Sequence, residues 1–134
     1  REIMENMQGK TICQSYVYHG DANIVMKQFS QEFDMVIAGP PYYDTENYNG
    51  VVPNCTYNEW FVQFVEPFSI NCYNVLKKNG VLALHIFDTF KHAFIEPFME
   101  ALIRNGFGHE TQYIYSKLKV TSRPQYVHIF RKVR

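Results

Sequence analysis

The stretch "VIAGPPYYDTENY", residues 36–48, decides how this chain is read. A short apolar run stops abruptly at Gly39-Pro40-Pro41, and two tyrosines and an acid follow at once. Each proline fixes φ and gives up its N–H, so the turn is stiff, poor in donors and unable to continue a sheet ladder. The carbonyls of Gly39 and Pro40 are left without evident ladder partners. A rigid pair of acceptors beside an exposed ring suits a planar group that offers N–H donors, such as the exocyclic amine of a nucleobase. The plain alternative is a tight turn in which Pro-Pro only stops the regular structure.

Outward from that turn, strands alternate with helices. "DMVIA" (34–38) reads as a buried strand and "SYVYH" (15–19) as an earlier one that stops at Gly20. Between them "ANIVMKQF" (22–29) carries a helical stripe of Ile24, Val25 and Phe29, with Asp21 as N-cap. Residues 39–55 are rich in Gly, Pro, Asn and Asp, a loop long enough to expect function from it. Thr56-Tyr57-Asn58-Glu59 is a capping box, and Phe61, Phe64, Val65, Phe68, Cys72, Val75 and Leu76 follow at helical spacing. Pro67 predicts a kink in that helix. Lys77-Lys78-Asn79-Gly80 reads as a cationic last turn followed by a left-handed residue at Gly80.

"VLALHIF" (81–87) has the nearly unbroken apolarity of a central strand covered on both faces. Phe94, Ile95, Phe98, Leu102 and Ile103 mark another helix, closed by Gly106. "TQYIYSK" and "YVHIFRK" read as two strands joined by a turn near Arg123-Pro124. The pattern predicts an α/β domain whose sheet is mostly parallel and ends in an antiparallel hairpin. Strands 34–38 and 81–87 should be parallel neighbours, with helix 57–76 as their right-handed crossover.

The totals set the limits. The 134 residues suit one domain, and 46% hydrophobic with 19% charged residues can build a packed core. Aromatics reach 16%, which points to rings at a surface or site as well as in the core. The formal charge of zero gives no global pull toward nucleic acid or membrane. It conceals an asymmetry, because no acid follows Glu110 while Lys117, Lys119, Arg123, Arg131, Lys132 and Arg134 do. That basic stretch is either a solvated edge or a patch that contacts phosphates. Cys13, Cys55 and Cys72 lie far apart, which argues against a zinc site or a disulfide framework and for a reducing, intracellular compartment. No run approaches the roughly 18 apolar residues of a membrane span.

"HGDANIVMKQFSQEFDMVIAGPPYYD" followed by "VLKKNGVLALHIFD" resembles the catalytic half of the amino-group DNA methyltransferases, which modify adenine N6 or cytosine N4. That family carries Asp, Asn or Ser, then Pro-Pro and an aromatic residue, at the end of its fourth strand. Leu76-Lys77 through Gly80 and the terminal "SRPQYVHIFRK" also match its pattern, so the resemblance runs from about Tyr18 to the end. It implies a Rossmann-like fold spanning residues 1–134 as one methyltransferase-like domain. It also implies S-adenosylmethionine as cofactor and nucleic acid as partner, DNA ahead of RNA. Pro40 would offer its carbonyl to the target amine, Pro41 would stiffen the turn and Tyr42 would stack on the flipped base. Asp21 would contact the cofactor adenine, with helix capping as its other reading. Tyr43, Asp44 and Tyr48 would line the base pocket, and Lys117, Lys119 and Arg123 would meet phosphates.

Two departures qualify that reading. Gly39 stands where the family has Asp, Asn or Ser, a loss on the order of 10²–10³ in rate by analogy with other single-group deletions in shielded sites. The glycine-rich Phe-x-Gly-x-Gly loop that wraps the cofactor's methionine part occurs nowhere in the sequence, and neither does its strand. The chain therefore reads as a fragment of a longer protein or a truncated relative, binding S-adenosylmethionine weakly or not at all by itself. A second chain or domain would supply the loop. Two other readings stand beside it: a non-catalytic methyltransferase-like domain that binds nucleic acid or a partner, and an RNA methyltransferase.

Overall fold

A computed structural model describes residues 14–40, 56–88, 93–114 and 125–134, together with the backbone of 2–5 and 115. In chain order these form β1 (Glu2–Glu5), β2 (Gln14–Val17), α1 (Ala22–Val25) with a 3-10 turn over Met26–Gln28, and β3 (Phe33–Ala38). Then come α2 (Tyr57–Trp60), a π-helical turn (Phe61–Val65), α3 (Glu66–Val75), β4 (Leu76–Ile86), α4 (Ile95–Arg104), β5 (Phe107–Tyr115) and β6 (Gln125–Lys132).

The main sheet has four strands in the order β3-β4-β6-β5. As expected, β3 and β4 are parallel neighbours, with Val36 beside Leu82 and Ala38 beside Leu84. The helix over 57–75 is the connection that a parallel pair requires. β6 runs antiparallel to both β4 and β5. The sheet is therefore mixed rather than mostly parallel: β6 returns from β5 as a hairpin partner and inserts between β5 and β4. β2 also departs from expectation. It pairs with β1 in a separate two-stranded antiparallel sheet.

The long helix starts where the capping box places it. Thr56 Oγ1 accepts from Glu59 N, and Glu59 returns the bond to the Thr56 amide. Pro67 leaves its mark one turn earlier as a π-helical turn, in which Glu66 N donates to Phe61 O. A proline ring crowds the carbonyl four residues before it, and the widened turn relieves that contact. The helix stops at Val75, so Lys77 and Lys78 belong to β4 rather than to a last turn. The left-handed residue is Asn79, with φ 63°, and not Gly80. Gly80 is needed for another reason: a Cβ there would sit 2.8 Å from Lys77 O.

Most of the aromatic surplus fills the core. Trp60 stacks on Phe64 and Phe64 on Phe68 with centroids 5.7 and 5.6 Å apart, and Phe68 meets Phe98 edge-on. Leu82, Leu84 and Ile86 of β4 and Phe130 of β6 are buried in the same cluster. Ile24, expected on a buried stripe, is exposed. Met35 and Ile37 are 48% and 78% exposed, while Val36 and Ala38 pack against the core. Among the described residues β3 is thus covered on one face only. On β4, Ala83 is buried but Val81 and His85 are half-exposed, so this central strand has a partly open second face.

Candidate functional site

β3 ends at Ala38, and Gly39 and Pro40 leave the sheet at its carboxyl end, the end where open α/β sheets bind ligands. Pro40 is buried and Gly39 exposed. Gly39 does not have the left-handed backbone that favours glycine, and a Cβ added there meets nothing within 4 Å among the described residues. Within them, neither conformation nor packing explains a glycine at this position.

The neighbouring strand brings polar groups to the same end. His85 Nε2 lies 2.9 Å from Gln125 Oε1, and Gln125 is buried at 7% exposure. Asp88 follows β4 and accepts from the amides of Phe94 and Ile95 at 2.8 and 3.0 Å, so it caps α4 from outside that helix. Tyr57 donates to the Ala93 carbonyl and packs edge-on against Phe94. Burial, and then the nearby Asp88 carboxylate, push the Tyr57 hydroxyl up. The end of the β3–β4 pair thus combines the Gly39-Pro40 exit from the sheet, an imidazole held by a buried amide and a carboxylate engaged in capping. Such an arrangement can accept hydrogen bonds from a donor-rich planar group.

Of the residues singled out in the sequence, Gly39 and Pro40 lie at this end. Asp21 is the N-cap of α1, and its Oδ1 accepts from Asn23 N at 2.8 Å. Asn71 Nδ2 ties that helix to α3 through the Asn23 carbonyl. Pro41, Tyr42, Tyr43, Asp44, Tyr48, Lys117, Lys119 and Arg123 lie outside the described residues. The described members of the basic tail have structural partners. Arg131 holds Glu110 through two hydrogen bonds of 3.0 Å and reaches the Asn79 carbonyl. Lys132 donates to the carbonyls of Tyr73 and Leu76, and Arg134 to those of Ile103 and Arg104. His85, Gln125 and Asp88 were not singled out, although a histidine inside "VLALHIF" was the visible signal.

A cavity of about 280 Å³ lies at the opposite end of the sheet, lined by Gln31, Tyr73, Lys78, Lys132 and Arg134 among others. Two of its cations, Lys132 and Arg134, already serve the ends of α3 and α4, so it is not assigned a ligand. Among the described residues, no three His, Cys, Asp or Glu side chains gather to hold a metal. Cys72 is buried, and burial pushes its thiol up to about 12, outside the reactive range. The described residues do not make a cradle for S-adenosylmethionine: they offer the Asp21 carboxylate, already used as a cap, and no glycine-rich turn at a strand end. Among the described residues, no helix is long and apolar enough to cross a membrane.

No protein-family model and no curated protein matches the chain. Solved structures do. The Thermus thermophilus protein TTHA0409, a provisionally assigned DNA modification methylase, superposes with a TM-score of 0.63 at 19% identity, covering 86% of this chain and 52% of that one. The M1.HpyAVI–S-adenosylmethionine complex gives 0.56 at 19% identity, covering 87% and 53%. A Pyrococcus furiosus methyltransferase gives 0.50 at 20% identity, covering 77% and 42%. TTHA0409 has also been solved with S-adenosylmethionine. At these identities the likeness establishes the fold: a mixed α/β sheet similar to methyltransferase folds. The chain spans about half the length of these structures, or less.

Proposed function

We propose that this chain is the base-holding segment of an S-adenosylmethionine-dependent methyltransferase that acts on an exocyclic amine of a nucleic-acid base, adenine N6 or cytosine N4. The observation that carries the reading is that Gly39 and Pro40 leave the sheet at the carboxyl end of a parallel strand pair, in a fold similar to that of DNA methylases. Pro40 accepts from the target amine, Pro41 keeps the turn rigid and Tyr42 stacks on the base. Tyr43, Asp44 and Tyr48 line the pocket, and Lys117, Lys119 and Arg123 meet the backbone phosphates. DNA is the preferred partner because the DNA methylases among the neighbours share the fold. The cofactor is held mainly by groups outside this sequence, with Asp21 as the one contact this chain would add.

A second reading, a methyltransferase-like domain that binds bases without transferring a methyl group, is favoured by one observation. Among the described residues the space beside Gly39 is open, and a side-chain acceptor would fit there. Both readings require base binding, and they part on the cofactor. Fluorescence anisotropy with short single-stranded DNA tests the first point. Tyr42→Ala should weaken binding by about 1–3 kcal/mol, roughly 5- to 150-fold, if the ring is a stacking platform. Calorimetry with S-adenosylmethionine tests the second. Weak or undetectable binding is expected for residues 1–134 alone, and micromolar affinity would contradict it.

A further inference from the structure

We propose that the edge of β3, with the apolar face beside it, is the seam at which this chain joins the part of a methyltransferase fold that it lacks. The inference rests on the fold and its exposed surface, and it stands whether or not the Gly39-Pro40 end holds a base. The 3-10 turn, α2, α3 and α4 bring Met26, Trp60, Phe68 and Phe98 to the core cluster, which also takes in Val36, Leu82, Leu84 and Phe130 from one face of the sheet. Residues opposite one another on neighbouring strands share a face, so the register defines the other side. It carries Met35 and Ile37 of β3, Val81 and Ala83 of β4, and Val127 and Ile129 of β6. All six are apolar, and exposure rises toward the edge of the sheet: Ala83 is 5% exposed, Met35 48% and Ile37 78%. A parallel strand pair of an α/β fold is ordinarily covered on both faces.

The two edges of the sheet differ. β5 is polar along His109-Glu110-Thr111-Gln112, and its register breaks between His109 and Thr111. Charges and bulges are the devices that keep an edge from pairing. β3 lacks both from Met35 to Ala38, where its register with β4 is unbroken. The length of the solved neighbours says what belongs there. TTHA0409 shares this fold, and the match covers 52% of it, so nearly half of that chain has no counterpart in residues 1–134. M1.HpyAVI gives a similar proportion, 53%. A further strand beside β3, parallel to it, brings a helical crossover that lies on a face of the sheet, and the open face of Met35 and Ile37 is where a helix is missing. A second copy of this chain, paired β3 to β3, lengthens the sheet and brings no helix to that face.

The test replaces Ile37 with the photo-crosslinking residue benzoylphenylalanine in the protein as its own cells make it, and Tyr113 on β5 in a control. Irradiation should join position 37, far more than position 113, to a segment outside residues 1–134, in the same polypeptide or a second one. Mass spectrometry identifies the joined peptide, and its segment should superpose on the half of TTHA0409 that this chain leaves uncovered. Met35→Lys should lower that cross-link by about tenfold, because it sets an ammonium in an apolar seam. In the isolated 134-residue chain Ile37→Lys should leave the urea midpoint unchanged, since the side chain is open there. The proposal is overturned by a cross-link to a second copy of this chain, to other residues within 1–134 or to a protein without that fold. It is equally overturned by no cross-link, by equal yields from positions 37 and 113, or by a lowered midpoint for Ile37→Lys.

Discussion

Lys132, at the end of β6, places its ammonium 2.9 Å from the Tyr73 carbonyl and over the ring of the same tyrosine. A second bond of 2.8 Å reaches the Leu76 carbonyl, so a cation from the last strand closes the carboxyl end of α3. Arg134 does the same for α4 through the Ile103 and Arg104 carbonyls. Helix carboxyl ends carry unpaired carbonyls and a partial negative charge, and both cations meet that need. Part of the basic tail is thereby explained by the fold.

Lys132→Met should therefore destabilise the protein without changing its affinity for DNA. It strips partners from two carbonyls, one of them buried, at a cost of about 1–3 kcal/mol. Urea unfolding should show the lower midpoint, and anisotropy with single-stranded DNA should show an unchanged Kd for the folded protein.

The two glycines at strand ends should respond in opposite ways. Gly106 has φ 107°, and a Cβ there would run into the Tyr73 ring. Gly106→Ala should cost about 1–3 kcal/mol through backbone strain and crowding. Gly39 shows neither constraint among the described residues, so Gly39→Asn should leave stability within about 0.5 kcal/mol of the wild type by urea unfolding.

Stability should fall on mild acidification because of His128. Its ring is 2% exposed, and neither nitrogen has a hydrogen-bond partner among the described residues. Burial first, and then the neighbouring His109, hold its pKa below the ordinary 6.5, with Asp88 acting the other way. A base whose folded pKa is depressed binds its proton more readily when unfolded, so stability is full above pH 6.5 and declines as pH falls through 6.5 toward the folded value. His128→Phe should flatten the difference between urea midpoints measured at about pH 7.5 and about pH 5.5.

The capping box should be worth a measurable amount by itself. Thr56→Ala removes the acceptor for the Glu59 amide and should lower stability by about 1 kcal/mol. The loss should appear in the urea midpoint with little change in its slope.

Local signals carried most of the fold. The capping box at Thr56, the glycine stop at Gly106 and the apolar run through Leu82, Leu84 and Ile86 each act within a few residues, and each was readable from sequence. The mixed character of the sheet was not, because the insertion of β6 between β4 and β5 is a choice among neighbours distant in sequence. β2 was misplaced for the same reason: a strand's propensity does not name its partner. The exact left-handed residue was missed because Asn, here Asn79 with φ 63°, is among the non-glycine residues that adopt that backbone most often. Pro40 was legible from its inability to continue a ladder. The His85–Gln125 pair was not, since its two members lie 40 residues apart and meet only through the β4–β6 register.

The measurement that bears most directly on the account compares two single-stranded oligonucleotides of thymine, one with a single adenine and one with purine at that position. Thymine has no exocyclic amine, so the pair differs only in the group that the Pro40 turn is proposed to hold. The account predicts at least fivefold tighter binding of the adenine strand by anisotropy. Equal affinity for the two strands would contradict it.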